Sequence, residues 1–321
     1  MASRTGSQII AIEEHYLDAD VAEKTQGRAG GRGETRDRLA DLGEWRLREM
    51  DEAGIDIQVL SHCPPGAQAF DPDELDRARA VNDRLAQTVK AKPDRFAAFA
   101  SLPLRNPAAA ADELQRCVGE LGFKGAMVHG LTDGKFIDDR SFWPVFERAQ
   151  SLDVPIYVHP GRPHPAVIEA YYKDYVEKFP SILSAGWGFT VETATAGVRL
   201  MLSGVFDKCP DVKIILGHMG EGLPFLLWRL DMAFGGMHPD AATVPIREHF
   251  CKHFWITTSG NFSNPALLCS VMEMGVDRIL FSVDWPYVMN RPGSEWMEGV
   301  PLSAEDREKI LNGNAKRLLK M

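Results

Sequence analysis

A closed, eight-stranded (β/α)8 barrel is the fold this sequence predicts, and three observations carry the prediction. Apolar runs of strand length recur eight times, helical patterns separate them, and residues able to bind a metal ion fall at the C-terminal ends of several runs. Barrel enzymes build their active sites at that end of the strands.

The eight runs are 8–14, 57–62, 96–102, 125–129, 155–159, 212–218, 254–259 and 278–284. Each is rich in β-branched or aromatic residues and nearly continuous in apolar character, as strands covered on both faces are. Between them, 72–92 carries periodic leucine, valine and alanine, 108–121 follows Asn106-Pro107, and 142–151 starts after Asp139. Asn, Pro and Asp at those joins are helix-start residues. Strict alternation of β and α argues for a parallel sheet, and eight repeats argue for closure. A doubly wound open sheet is the competing arrangement.

A chain of 321 residues fits one such domain, 1–321. Two stretches depart from a minimal barrel. Insertion 18–42 contains the glycine-rich, charged and nonperiodic 24–37, which reads as a mobile loop over the barrel mouth. Insertion 161–188, with Tyr171, Tyr172, Tyr175 and Trp187, forms no clean helical pattern before 191–206 and reads as a lid-like connection.

Composition narrows the function classes. Hydrophobic residues at 45% and charged residues at 25% suit a globular protein with a large core. A net charge of −9, from 45 acidic and 36 basic residues, disfavours binding to a phosphate backbone, so no nucleic-acid partner is expected. No apolar run approaches a membrane span and the N-terminal residues do not read as a secretion signal. Cys63, Cys117, Cys209, Cys251 and Cys269 are odd in number and scattered, so neither a disulfide framework nor a thiolate zinc site is expected. The expectation is a soluble protein of the reducing cytoplasm.

The chemistry is concentrated at four strand ends. Glu13 and His15 lie two apart, so a strand aims both at one face while Glu14 points the other way. His159 and Asp284 add a second nitrogen and a second carboxylate. Two histidines and two carboxylates suit one divalent ion, Zn²⁺ or Mn²⁺, with Mg²⁺ a further candidate. Taken singly, each has a structural explanation, since a strand-end histidine is often a satisfied polar group and an Asp before a helix is often an N-cap. Their joint placement at the mouth is what argues for a metal site.

His218 opens His218-Met219-Gly220-Glu221-Gly222. We read it as a proton-transfer or substrate-positioning residue oriented by Glu221, because a carboxylate beside an imidazole fixes its tautomer and raises its basicity. Glu221 also suits a helix N-terminus on electrostatic grounds alone. His62, His129 and Arg229 are further candidates for substrate contact. Trp228 lies beside Arg229, His164 sits on the 161–188 loop, and His238, His249 and His253 stand in polar, surface-like surroundings.

These residues sit in segments that resemble the decarboxylase branch of the amidohydrolase superfamily. That group contains γ-resorcylate, 2,3-dihydroxybenzoate and 5-carboxyvanillate decarboxylases and the related aminocarboxymuconate semialdehyde decarboxylase. The segments are Ile12-Glu13-Glu14-His15, Pro93-Asp94-Arg95-Phe96, Leu121-Gly122-Phe123-Lys124-Gly125-Ala126, Ile215-Leu216-Gly217-His218-Met219-Gly220-Glu221, Ile256-Thr257-Thr258-Ser259-Gly260-Asn261 and Arg278-Ile279-Leu280-Phe281-Ser282-Val283-Asp284-Trp285-Pro286. Hydrolytic relatives carry His-x-His on the first strand, whereas this chain has Glu13-Glu14-His15.

The resemblance implies a metal-dependent, reversible decarboxylase of an ortho-hydroxylated benzoic acid, with no organic cofactor. It implies Asp284 as proton donor to the ring, His218 and Glu221 assisting, and a homodimer or homotetramer. Two departures, His129 after Val128 and Gly161-Arg162-Pro163 after His159-Pro160, leave the exact acid open. Hydrolysis of a cyclic ester or amide is the alternative reaction, and a non-catalytic barrel is the third reading.

Overall fold

The computed structural model of the protein describes residues 6–237 and 242–321. Among the described residues nine strand segments, all paired in parallel, run in chain order around one ring. They are β1 (Ile10–Tyr16), β2 (Ile57–His62), β3 (Phe96–Ala98), β4 (Ala100–Ser101), β5 (Ala126–His129), β6 (Pro155–His159), β7 (Lys213–Leu216), β8 (Phe254–Thr257) and β9 (Ile279–Leu280). Segments β3 and β4 are the predicted third strand, interrupted at Phe99, so eight staves remain.

The regular ladder forms two arcs, β1 to β3 and β4 to β9. Backbone hydrogen bonds join them at both seams. Phe99 N donates to Leu60 O at 2.9 Å across the first seam. At the second, a parallel bridge pairs Glu14 with Trp285, and His15 N donates to Trp285 O at 2.7 Å. The ring therefore closes through the segment that follows β9, which explains why the predicted eighth strand is regular only over Ile279–Leu280.

Alternation separates an inner from an outer core. Ile10, Ile12, Val59, Phe99, Met127, Tyr157, Ile215 and Leu280 fill the barrel, with Ala315, Leu318 and Leu319 of the C-terminal helix packed among them. Their strand neighbours Ala11, Leu60, Ala98, Val128, Ile156, Val158, Ile214, Leu216 and Ile279 face the helical shell. The predicted helices form with small shifts, at Leu75–Ala91, Pro107–Gly119 and Trp143–Leu152. The second starts as its sequence dictates: Asn106 caps Ala109 N at 3.2 Å and Pro107 takes the first helical position.

Strand β1 breaks the alternation. Its pairing with β2 slips by one residue between Ala11 and Glu14, the mark of a β-bulge. With Ile10 and Ile12 inside, strict alternation would send Glu13 and His15 outward. The bulge turns both inward and leaves Glu14 facing out.

Both insertions differ from their sequence expectation. Insertion 18–42, whose stretch 24–37 is expected as a mobile loop, folds into helices Ala19–Lys24 and Glu34–Ala40 around the glycine-rich turn. Arg36 ties that turn down by donating to Gly27 O at 2.8 Å. At Gly30, φ is +79° and a Cβ would lie 2.8 Å from the Leu17 side chain, so only glycine fits. Region 161–188 consists of short helical turns, Pro165–Val167, Ile168–Tyr172, Lys173–Val176 and Pro180–Leu183, before the long helix Gly188–Leu202. All five cysteines are unpaired, and no described helix is long and apolar enough to cross a membrane.

Candidate active site

The inward-turned residues of β1 meet side chains from β6 and the β9 exit at the barrel mouth. One donor atom each from Glu13, His15, His159 and Asp284 lies within 4.8 Å of the others. His15 Nε2 stands 3.2 Å from Asp284 Oδ1 and 3.9 Å from Glu13 Oε1, while His159 Nε2 stands 3.3 Å from Glu13 Oε1. Ligands about 2.1 Å from a common ion lie about 3 to 4 Å apart, so these spacings suit one.

Glu13 Oε1, His15 Nε2 and Asp284 Oδ1 are buried and have no hydrogen-bond partner within the protein. Unsatisfied buried polar atoms are costly, and three converging on one point fit a shared cation. The imidazole tautomers fit as well. His159 Nδ1 faces Pro160 O at 2.8 Å and His15 Nδ1 faces Ser61 Oγ at 3.2 Å, which leaves each Nε2 free to ligate.

A cradle holds the other oxygen of Glu13. Tyr157, Ser259 and Thr257 all donate their hydroxyls to Oε2. Tyr157 lies mid-strand in β6, Thr257 ends β8 and Ser259 follows it by two residues. A Cβ at Gly217 would lie 3.0 Å from Glu13 Oε2 and 3.1 Å from the Tyr157 hydroxyl, so glycine makes room for the pair. Burial drives the Glu13 carboxyl above its usual range and Asp284 adds to the shift, while His218 and His15 oppose it.

His218 and Glu221 reach the cavity through an unusual turn. From His218 to Glu221 every residue has positive φ, between 50° and 68°. Left-handed backbone costs roughly 1–2 kcal/mol for each non-glycine residue and is characteristically tolerated where function needs it. The turn brings His218 Nδ1 to 2.7 Å from Glu221 Oε1 and His218 Nε2 to 3.8 Å from Asp284 Oδ2. Burial pulls the His218 pKa down, but Glu221, Glu13 and Asp284 outweigh it and hold the imidazole well above its usual value. For Asp284, burial pushes upward and the two histidines, His15 and His218, bring its carboxyl below the usual range.

A cavity of about 800 Å³ opens above this cluster. His159, His218, Glu221 and Asp284 stand in its wall. Arg28 to Gly31 of the first insertion and Ser184 and Ala185 of the second also line it. Tyr287 is a wall residue that sequence reading missed; its ring meets His15 edge-on at 5.6 Å. Tyr157, Thr257, Ser259 and Ser61 were missed as well. Their signal was weak but present, a hydroxyl of inward parity within a strand or just beyond its end.

Other expected contacts lie elsewhere. His62 shares the outward parity of Leu60, and both its nitrogens are taken, Nε2 by Asp18 N at 2.9 Å and Nδ1 by Cys63 O at 2.6 Å. His129 points inward beside His159 at 5.2 Å, but Nε2 is tied to His62 O at 2.9 Å, and neither ring lines the cavity. Arg229 and Trp228 are exposed on helix Leu223–Phe234, away from the cavity wall, because the face opposite the packed Leu223 and Leu227 points to solvent. His164 is exposed and caps the turn at Ala166. His253, expected at the surface, is buried and stacks on Phe206 at 4.0 Å, whereas His249 is half-buried. His238 lies outside the described residues.

A (β/α)8 barrel with a Glu/His/His/Asp cluster at its C-terminal mouth defines a class of metal-site barrel proteins. A family model described as amidohydrolase matches residues 15–321, and the chain belongs to this family. It is 41% identical to the γ-resorcylate decarboxylase of Polaromonas sp. strain JS666, covering 97% of this chain and 98% of that protein. A crystal structure of a dihydroxybenzoic acid decarboxylase from the same organism, with bound manganese and the inhibitor 2-nitroresorcinol, superposes with a TM-score of 0.89 at 40% identity. That match covers 98% of this chain and 97% of the other. A 5-carboxyvanillate decarboxylase from Novosphingobium aromaticivorans, complexed with manganese and a nitrobenzoic acid, superposes at 0.91 with 30% identity, covering 100% and 98%.

Proposed function

We propose that this protein is a metal-dependent, nonoxidative decarboxylase of an ortho-hydroxylated benzoic acid. The carrying observation is the convergence of unpartnered atoms from Glu13, His15 and Asp284 on His159, with Asp284 Oδ2 turned toward His218. Glu13, His15, His159 and Asp284 would hold one Mn²⁺ or Zn²⁺. Such an ion, when bound, offers a site for the substrate's carboxylate and ortho-hydroxyl and neutralises their charge.

The chain's own residues supply the proton. The ortho oxygen pushes electron density onto the ring carbon that bears the carboxylate. Asp284, ionised at rest, takes a proton from His218 and delivers it to that carbon, and the bond to the carboxylate then breaks. Its electron pair restores the aromatic ring as CO₂ leaves. The imidazolium of His218 is stabilised by Glu221 and is restored by a proton from solvent once CO₂ has left. No organic cofactor is needed, because the ring itself holds the electrons. The walls from both insertions exclude water and orient the ring.

The test is incubation of purified enzyme with a panel of dihydroxybenzoates, following CO₂ and phenol. Activity lost on chelation and restored by Mn²⁺ or Zn²⁺ is expected. A metal-replete enzyme that leaves every member unchanged, or that hydrolyses cyclic esters instead, would sink the proposal. We further propose self-association into a homodimer or homotetramer, since Phe225, Trp228 and Met272 are 80%, 66% and 82% exposed. Analytical ultracentrifugation checks this, and a monomer at micromolar concentration would exclude it.

A further inference from the structure

Glu14, the middle residue of Glu13-Glu14-His15, is absent from the cavity wall yet fully buried. The β1 bulge turns it away from the metal cluster and toward the segment after β9. There Oε1 accepts from Val283 N at 2.9 Å and Ser282 Oγ at 3.2 Å, and Oε2 accepts from Trp285 N at 3.1 Å. Val283 and Trp285 flank Asp284. The amide of Asp284 itself donates to Glu13 O at 3.2 Å. Three consecutive amides are therefore held by strand β1, two of them by one carboxylate.

Asp284 needs that hold, because its φ is +74°. A non-glycine residue in this region persists only where its surroundings over-determine it. A second buried group acts on the opposite ligand. Arg46, fully buried, donates from Nη2 to His15 O at 2.5 Å and lies 4.0 Å over the Trp285 ring, whose Nε1 donates to Glu49 at 2.8 Å. Arg46 thus touches the backbone of one cluster residue and the side chain next to another.

We propose that Glu14 is a positioning residue. Its carboxylate clips the amides on both sides of Asp284, so that the Asp284 side chain is aimed at Glu13, His15 and His159, and Arg46 braces His15 through its carbonyl. This rests on the reading that the cluster holds a metal. A barrel-closing role alone would make Glu14 matter for stability only.

The experiment is a Mn²⁺ titration, by calorimetry at 25 °C, of metal-stripped full-length wild type, Glu14→Gln and Glu113→Gln. An amide offers one acceptor oxygen and sets its NH₂ against the second N–H. Glu14→Gln is expected to weaken Mn²⁺ binding about 10- to 100-fold, the usual effect of removing a group that orients a ligand. Glu113 is an equally buried carboxylate, bonded to Asn82 and Arg116 on the outer helix Pro107–Gly119. Glu113→Gln is expected to lower Tm while binding Mn²⁺ within about twofold of wild type.

A Glu14→Gln protein that loses stability but keeps wild-type Mn²⁺ affinity overturns the proposal. If that variant does not fold, Arg46→Met decides. It keeps the apolar contact with Trp285 and frees the His15 carbonyl, with about tenfold weaker binding expected and unchanged binding overturning the proposal. A wild type that binds no Mn²⁺ overturns the metal reading and this inference together.

Discussion

His15 and His62 end neighbouring strands and are equally buried, yet they are prepared for opposite tasks. His15 spends one ring nitrogen on Ser61 and leaves Nε2 unpartnered toward Asp284. His62 spends both on backbone groups of Asp18 and Cys63. One strand further round, His159 keeps Nε2 free at 3.3 Å from Glu13, whereas His129 ties Nε2 to a carbonyl and its unpartnered Nδ1 has no carboxylate within ion-pair distance among the described residues. Burial and strand-end position therefore do not make a ligand. An unspent nitrogen facing a carboxylate does.

Removing a ligating imidazole is the strongest way to break this comparison. His15→Ala and His159→Ala are each expected to lose the ion and to drop kcat about 10³-fold or more, since several kcal/mol of charge stabilisation go with it. His62→Asn and His129→Asn are expected to retain about one ion per chain. Elemental analysis of the purified variants checks both halves, and metal loss in the second pair would erase the distinction.

His218 tests whether a cavity-facing histidine outside the four-residue cluster serves proton transfer instead. His218→Gln is expected to lower kcat about 100-fold with bound metal and KM little changed. A steady-state comparison under metal saturation reads this directly; equal loss of metal would reassign His218 as a ligand.

Acid stability separates the backbone-bonded histidines more finely. Burial depresses the pKa of His62 to about 4 and that of His129 to about 3, from an ordinary 6.5. The unfolded chain takes up these protons first, so the stability is fully present above pH 6.5 and is lost as pH falls toward 4 for His62 and toward 3 for His129. For each group the slope approaches about 1.4 kcal/mol per pH unit within its window. Urea midpoints at pH 7.5 and 5 should diverge less in His62→Asn than in wild type, and an identical divergence would contradict the assignment.

The smallest effect belongs to His253, outside the barrel wall. His253→Phe keeps the stack on Phe206 and removes only the 3.0 Å bond to Val212 O. A loss of about 1 kcal/mol, with kcat within about twofold of wild type, is expected from thermal melts and assays. A large loss of activity would tie the outer shell to the site.

Much of the site was legible in residue order because strand parity and strand ends are local properties. Glu13, His15, His159 and Asp284 were readable as one cluster from their positions in the apolar runs, and His218 with Glu221 from their spacing. His62 and Arg229 were misread as pocket residues because parity relative to the barrel axis and the solvent face of helix Leu223–Phe234 are set by neighbours far along the chain.

What the chain order determined by itself is the list: eight staves, the residues at their ends, and a glycine-rich cover after the first. Tertiary structure decided which of those residues act together. The bulge at Ala11 to Glu14 set the direction of Glu13 and His15, the left-handed turn at His218 aimed the imidazole, and three distant hydroxyls claimed one oxygen of Glu13. The physical reason is that a side chain's free valence is what remains after every hydrogen bond is made, and the partners of His15 and Glu13 lie 46 to 246 residues away.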